Sequence, residues 1–392
     1  MPAHVGPNTL GESNLVFAYD TGDVKNSYKG QPTVNAFGVY PTDLYSWVNG
    51  GNQVTLSRDT IPSPVGNTPL KMVCNGNDPY TSTYNSTANN ISAASSGQTW
   101  TISVWAKANQ NTTGQIFHFG ANSSGNIIDF SATTISLTTE WTRYTYTRTF
   151  TDGNVVAIQA RLDGPDTFQS GVVIWWDGLQ VEQKAYATQF TTGTRSVTQG
   201  LLPLVENTTF NLTNMSFTSN AQMTFDGTDD YISCGTLSFN FSQGITVEAV
   251  ANFTNVGAWQ RIMDFGNGSA SNNILFSRYG STDNLFFEIY NGASSTFINT
   301  SGGIVQNQLC HYVATVNGAM AYVYRNGVLI NSGTFATVPT TVSRTNCYIG
   351  KSNWADEYFQ GQIPITKIYN RALTTQEVRQ NYQQYKTRFN LS

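Results

Sequence analysis

Three carboxylates crowd one short stretch of the chain: Asp226, Asp229 and Asp230 in Phe225-Asp226-Gly227-Thr228-Asp229-Asp230-Tyr231-Ile232. Two chemistries suit such a group. Ca2+ takes about six to eight oxygens from carboxylates, carbonyls and water, whereas an Asp-Gly turn uses its aspartate as a local acceptor for backbone N–H groups. A second group is aromatic. Trp259 and the run Ser352-Asn353-Trp354-Ala355-Asp356-Glu357-Tyr358-Phe359 set rings beside an amide and carboxylates, the mix that a sugar-binding rim uses and that a protein contact also uses. Catalysis finds less support. Glycoside hydrolysis needs two carboxyl groups facing one sugar bond, and residues two apart on a strand share a face. No Glu-x-Asp-x-Glu run exists; Asp177 and Glu182 are an odd number of positions apart, and Asp356 and Glu357 are adjacent. None of the three histidines adjoins a Ser or Cys in a nucleophile turn. His311 reads as a satisfied core histidine. Gly266-Asn267-Gly268 is a turn, with no strand-to-helix switch to make a phosphate cradle. No catalytic residue is assigned, and the chain is expected to be non-enzymatic.

Those residues must be held by strands. Period-2 alternation with β-branched and aromatic residues runs through segments such as Thr101-Ile102-Ser103-Val104-Trp105 and Tyr144-Thr145-Tyr146-Thr147-Arg148, and Asp152-Gly153, Asp226-Gly227 and Asn326-Gly327 punctuate it. The fold class is all-β. One helix is expected near the end, where Thr374 can cap, Glu377 completes a capping box, and Val378, Tyr382 and Tyr385 share a face. Strand parity separates Trp100 from Trp105 and Trp175 from Trp176, placing the members of each pair on opposite faces.

A length of 392 residues is expected to make two or three domains. Only 11% of residues are charged and 13% are aromatic, so solubility falls to Asn, Thr, Ser and Gly. Neutral amides and hydroxyls with rings suit sugar contact and equally suit an extracellular or virion β-protein. A net charge of −4 without a basic run gives phosphate backbones nothing to pair with, which argues against nucleic acid. No apolar stretch is long enough to span a bilayer, and Met1-Pro2-Ala3-His4-Val5 carries no positive flank. The chain is expected to be made in a cytoplasm without a signal peptide. Cys74, Cys234, Cys310 and Cys347 lie far apart with no metal-type spacing and read as reduced, buried small hydrophobes. Sequons at Asn85, Asn111, Asn207 and Asn252 read as chance in so Asn-rich a chain.

Five segments occur in a telling order: Phe225 to Ile232, Gly244-Ile245-Thr246-Val247-Glu248-Ala249, His311-Tyr312-Val313-Ala314, Arg325-Asn326-Gly327-Val328-Leu329-Ile330, and Gly361 through Leu373. Together they resemble the laminin G-like, concanavalin A-like jelly roll. Upstream, Thr99 to Ala108, Glu140 to Tyr144 and Val173 to Glu182 resemble strands of a carbohydrate-binding-module jelly roll, and Lys184 to Phe190 resembles its exit segment in bacteriophage proteins. Leu15 to Asp23 with Ser27-Tyr28 resembles the opening strand of laminin G-like domains in phage structural proteins, although here it stands far ahead of the Phe225 segment.

These resemblances imply two antiparallel β-sandwich (jelly-roll) domains with one short C-terminal helix. Residues 1–34 form an arm and opening strand belonging to the C-terminal sandwich, 35–196 an inserted jelly roll, and 197–392 the laminin G-like jelly roll. The alternative is a tail followed by two domains in line. In the inserted jelly roll the resemblance turns Ile174 and Trp176 inward and leaves Trp175, with Tyr144 or Tyr146, for a ligand. In the C-terminal one Trp259, Trp354, Tyr358 and Phe359, in or beside polar loops, are the candidate ligand-binding residues; relatives hold Ca2+ near the rim, which offers Asp226, Asp229 and Asp230 as its ligands here, with the purely local Asp-Gly turn as the favoured alternative. The implied protein is a bacteriophage virion-surface component (fibre, adhesin or capsid decoration), homo-oligomeric, that contacts other virion proteins and host-surface carbohydrate. A scaffold binding only virion proteins is the competing reading, and a polysaccharide-degrading enzyme the third. The first dozen residues, rich in Pro, Gly and Asn, read as an attachment arm or a disordered end.

Overall fold

The computed structural model describes residues 13–37, 48–49, 53–66, 68–76, 80–82, 92–205 and 208–391. The first dozen residues, with Asn85 and Asn207, lie outside that set. Two compact units form. One gathers the N-terminal segment through Pro32 with Ser196–Thr218 and Gln222–Ser392, and the other comprises Thr33–Arg195 with Ser219–Ala221. Each is an antiparallel β-sandwich, and all described pairings between named strands are antiparallel.

In the larger unit the long strand Gln360–Tyr369 organises an eight-stranded sheet. One edge takes Ile245–Phe253 along its length, and the other takes Met223–Asp226 near its start and Leu15–Asp20 near its end. Facing it is a six-stranded sheet in the order Ile232–Ser233, Asn346–Ile349, Arg261–Gly266, Ile274–Arg278, Leu285–Asn291, Ser294–Thr300. Val247, Ala249 and Phe253 from one sheet meet Met263, Phe276 and Phe287 from the other in a single buried core. Gly361, paired with Phe253, takes φ +138°, and any Cβ there would collide with the Asn252 carbonyl, so glycine is required.

The opening strand is integral to this core. Phe17 packs edge-on against Phe210 and Phe265, and the Tyr19 hydroxyl donates to Ile363 O at 2.8 Å. Leu15, two positions before Phe17, does not join the inward row of Phe17 and Tyr19. A register shift between Leu15 and Phe17 moves it to the other face, where it joins Ala18 against Val313, Leu373 and Val378.

The helix is Thr375–Phe389, and its capping box is formed as expected: Thr374 Oγ1 accepts from the Glu377 N–H and Glu377 Oε2 accepts from the Thr374 N–H. Its buried face is Val378, Tyr382 and Tyr385. Beneath it His311 is fully buried, its Nε2 2.8 Å from Glu248 Oε1, while Asn381 of the helix donates to Glu248 Oε2 at 2.9 Å. At the far end Arg388 bonds Asp20 of the opening strand. The helix and the opening strand thus close the same sheet.

In the smaller unit a five-stranded sheet, Thr142–Thr149, Thr99–Ala108, Val173–Glu182, Leu70–Cys74, Val54–Arg58, faces a six-stranded one that includes Ile127–Leu137, Thr112–Ala121 and Ala157–Asp163. Trp100, Val104, Ile174 and Trp176 share its core with Ile116, Ile158 and Leu162. All four cysteines are free and buried. Among the described residues no helix is long and apolar enough to cross a membrane.

Because the opening strand contributes buried rings and pairs through its backbone, a fragment starting at Gln199 leaves an unpaired edge on Gln360–Tyr369. It is expected to aggregate or to melt well below the intact chain, and Phe17→Ala in the full chain is expected to cost about 3–5 kcal/mol in denaturant unfolding. A soluble fragment of unchanged melting temperature would contradict the dependence.

Candidate functional site: an aromatic groove around Arg261

The outer face of the six-stranded sheet in the larger unit carries a groove of about 360 Å3, within the range of small-ligand sites, roughly 300–1,000 Å3. Its floor comes from register. Leu275, Glu288 and Phe297 lie directly across from one another on three neighbouring strands, and Phe286 and Tyr290 flank Glu288 at two positions either side. Loops supply the walls, with Trp259 and Tyr279 on one side and Trp354 and Asp356 on the other.

Arg261 ties these parts together. Its guanidinium lies 5.7 Å from the Trp259 ring and 5.6 Å from the Trp354 ring. Its Nη2 donates to Asp356 Oδ2 at 2.8 Å and its Nη1 to Trp259 O at 2.7 Å. Nε has no hydrogen-bond acceptor and stands 3.8 Å from Asp264 Oδ2. Arg261 is only 4% exposed, so its charge is spent on its neighbours. Cation–π contact of this kind is worth more as water is excluded.

Trp259 takes φ 59°, the left-handed region that bulky residues avoid. Three contacts hold it and its loop there. Trp259 N–H donates to Gly280 O at 2.9 Å, Gln260 Nε2 donates to Tyr358 O at 3.2 Å, and Glu357 N–H donates to Ala258 O at 3.3 Å. Strain of this sort collects at functional sites. On the opposite wall Ser352 Oγ donates to Asp356 Oδ2 at 2.7 Å, and Asn353 binds the buried Asp264 through its N–H and side-chain amide, both at 2.8 Å. Burial pushes the Asp264 carboxyl up, against the pull of Arg261, and it pushes Glu288 up as well, against hydrogen bonds from Ser295 and Tyr290.

Of the aromatic residues singled out from sequence, Trp259 and Trp354 come together here. Tyr358 does not line the groove; its ring joins Tyr231 and Tyr348 around the Lys351 ammonium, which stands 4.2 Å from the Tyr231 centroid. Phe359 is a correction. It is fully buried against Phe225 and Phe253, because its N–H pairs with Gly350 O as the chain enters the central strand and its ring turns inward. In the smaller unit Trp175 faces away from the core, as parity allowed, with Nε1 donating to Asp59 Oδ2 at 2.9 Å and the Lys107 ammonium 5.2 Å from its ring. Tyr144 and Tyr146 are corrected too. They lie opposite Val104 and Ile102 on the core face, and their hydroxyls donate to Ser136 O and Ser131 Oγ of the facing sheet, so they cannot share a ligand surface with Trp175.

Sequence reasoning missed Arg261, Glu288, Phe286, Tyr290 and Phe297. The last four sit on the neighbouring strands Leu285–Asn291 and Ser294–Thr300, where strand period separates two faces without saying which one meets a ligand. The one usable signal was Glu288 amid Phe286, Phe287, Ile289 and Tyr290, a charge inside an otherwise apolar strand.

Asp226, Asp229 and Asp230 each bring an oxygen within 4.8 Å of the others. Adjacent Asp229 and Asp230 converge because the backbone here is a tight turn rather than a strand. Asp226 Oδ1 accepts from the Thr228 N–H at 2.7 Å and Asp230 Oδ2 from the Asp226 N–H at 2.7 Å. The carboxylates thus close the turn on itself, and three of them fall short of the roughly six to eight oxygens that Ca2+ takes. Burial, reinforced by Asp226 and Asp229, raises Asp230 from 3.8 to about 6. The folded state therefore binds its proton more tightly than the unfolded chain, so this group's contribution to stability falls as pH rises from about 4 to about 6. Asp230→Asn is expected to flatten that part of the stability–pH curve, while calcium and chelator leave melting unchanged. A calcium-dependent melting shift abolished by Asp226→Ala would make the turn a metal site instead.

A two-sheet antiparallel sandwich carrying an aromatic groove on a sheet face is a lectin-like jelly-roll architecture. Residues 226–379, which hold the entire groove, match the family described as the concanavalin A-like lectin/glucanases superfamily. No curated protein matches the chain. Similar solved structures include the CBM40 of the Ruminococcus gnavus IT-sialidase bound to α2,3 sialyllactose, at 14% identity over 36% of this chain and 82% of that one, with a TM-score of 0.32. The botulinum neurotoxin serotype G binding domain matches at 14% identity over 48% of this chain and 49% of that one, TM-score 0.40. The binding domain of Paraclostridial Mosquitocidal Protein 1 matches at 17% over 46% and 48%, TM-score 0.35. The chain spans about half of each toxin domain, and at these TM-scores the likenesses carry no argument about ligand or site.

Proposed function

We propose that this chain is a non-enzymatic glycan-binding protein whose contact surface is the groove around Arg261. The observation that carries the reading is the pair of indoles, Trp259 and Trp354, fixed on either side of one buried guanidinium. Rings held in place lose little freedom on stacking against a sugar, so their contact area converts to affinity efficiently. The groove does hold two carboxylates, Glu288 and Asp356. Asp356, however, already accepts from Arg261 and Ser352, which commits it to holding the wall rather than to attacking a sugar or activating water.

The setting we propose is the surface of a bacteriophage particle, with other virion proteins as further partners. The support is the likeness of Leu15 to Asp23 and of Lys184 to Phe190 to segments of phage structural proteins, together with a composition poor in charge. Capsid or tail genes beside the encoding gene are expected, and metabolic neighbours would remove this part of the reading.

Trp354→Ala is expected to weaken glycan retention by about 1–3 kcal/mol, the range of an aromatic contact at an interface, with little change in melting because the ring is only partly buried. A glycan array with the purified full chain, followed by titration of the best ligand, measures it. No retention of any glycan would favour a scaffold that binds only proteins, and release of reducing ends would reveal a hydrolase.

A further inference from the structure

The groove is short of positive charge. Arg261 faces three carboxylates, Asp264, Glu288 and Asp356. Its edge is taken by Asp356 and Trp259 O and its surroundings by two indoles, so at 4% exposure it has no fork to offer an incoming anion. Asp264 is buried and satisfied by Asn273 and Asn353. Glu288 is different. It lines the groove, its partners are the neutral hydroxyls of Ser295 and Tyr290, and among the described residues no Lys or Arg hydrogen-bonds it. Around it stand Phe286, Tyr290 and Phe297, with Trp354 5.7 Å from the Tyr290 ring. Ring faces carry negative quadrupole and a carboxylate carries full charge, and both attract a cation.

Resting on the reading of the groove as a glycan site, we infer that its Glu288 end is an ammonium subsite, so that the groove selects sugars bearing a free amino group over N-acetylated sugars and rejects acidic ones. A free amine supplies the charge that the three carboxylates lack, and an acetyl group removes it. A uronic or sialic carboxylate would meet Glu288 with Arg261 already engaged. Burial holds the Glu288 carboxyl above its usual range, outweighing the hydrogen bonds of Ser295 and Tyr290 and the weaker pull of the Arg261 charge.

The test is titration of the intact chain with glucosamine, N-acetylglucosamine, glucuronic acid and lysine methylamide, near pH 6.5, about a unit below the α-amino range, at low salt. Indole N–H NMR shifts report binding. Glucosamine is expected to bind about tenfold more tightly than N-acetylglucosamine, about 1.4 kcal/mol, with glucuronic acid weakest and the preference shrinking as salt is added. Glu288→Gln is expected to bring the ratio of glucosamine to N-acetylglucosamine affinity to about one, whatever it does to either affinity alone. Equal or reversed affinities in the unaltered chain, or a preference that survives Glu288→Gln, would overturn the ammonium subsite and leave glycan binding standing. Shifts with lysine methylamide and with none of the sugars would assign the groove to a basic peptide and overturn both readings, as would no shift with any probe.

Discussion

The strand Gln360–Tyr369 is the interaction on which the larger unit depends. Its hydrogen-bonding edges are filled by segments from three remote parts of the sequence, Leu15–Asp20, Met223–Asp226 and Ile245–Phe253. Backbone N–H and C=O groups buried in a sheet must be paired, so each of these segments is fixed in register by the same strand. The loop just before it, Ser352 to Tyr358, carries Trp354 and Asp356, and the helix just after it covers its sheet. Gly361 lets the strand's backbone approach Asn252 too closely for any side chain. A shift of one residue here would turn Phe359 out of the core and carry the wall of the groove with it.

The groove illustrates how a chain with few charges places those it has. Burying a guanidinium is costly unless its partners return the lost hydration, and Arg261 is repaid by Asp356, a backbone carbonyl and two ring faces. That arrangement makes Arg261 a strut rather than a ligand-seeking group. It also holds Trp259 and Trp354 apart at a fixed spacing, so the aromatic surface exists before any ligand arrives. The same economy appears under the helix, where the buried pair Glu248 and His311 is joined by Asn381 in a polar contact between sheet and helix.

In the smaller unit the same principle of parity separates stability from exposure. Trp176, Ile174, Tyr144 and Tyr146 belong to the core face of the five-stranded sheet, whereas Trp175 and Lys107 belong to the other. Trp175 is nonetheless committed along its polar edge to Asp59 and across its ring to Lys107. A ring with both its hydrogen bond and its face engaged offers less to a ligand than Trp259 and Trp354 do.

The sequence by itself determined what local interactions determine. The all-β class and the capping box of Thr374 and Glu377 with the apolar face Val378, Tyr382 and Tyr385 each follow from a period or a cap within a few residues, whereas the inward turn of Trp176 came from the family resemblance, because parity separates Trp175 from Trp176 without saying which is inside. Tertiary structure alone decided the rest. The bulge that carries Leu15 to the outer face, the inward turn of Phe359 and the convergence of Asp229 with Asp230 depend on backbone irregularities that no pattern announces. The groove was hidden for a deeper reason. Arg261, Glu288, Phe297 and Trp354 are scattered along the chain and meet only because strand order and cross-strand register bring them to one face, and register is a property of pairs of strands, not of any one of them.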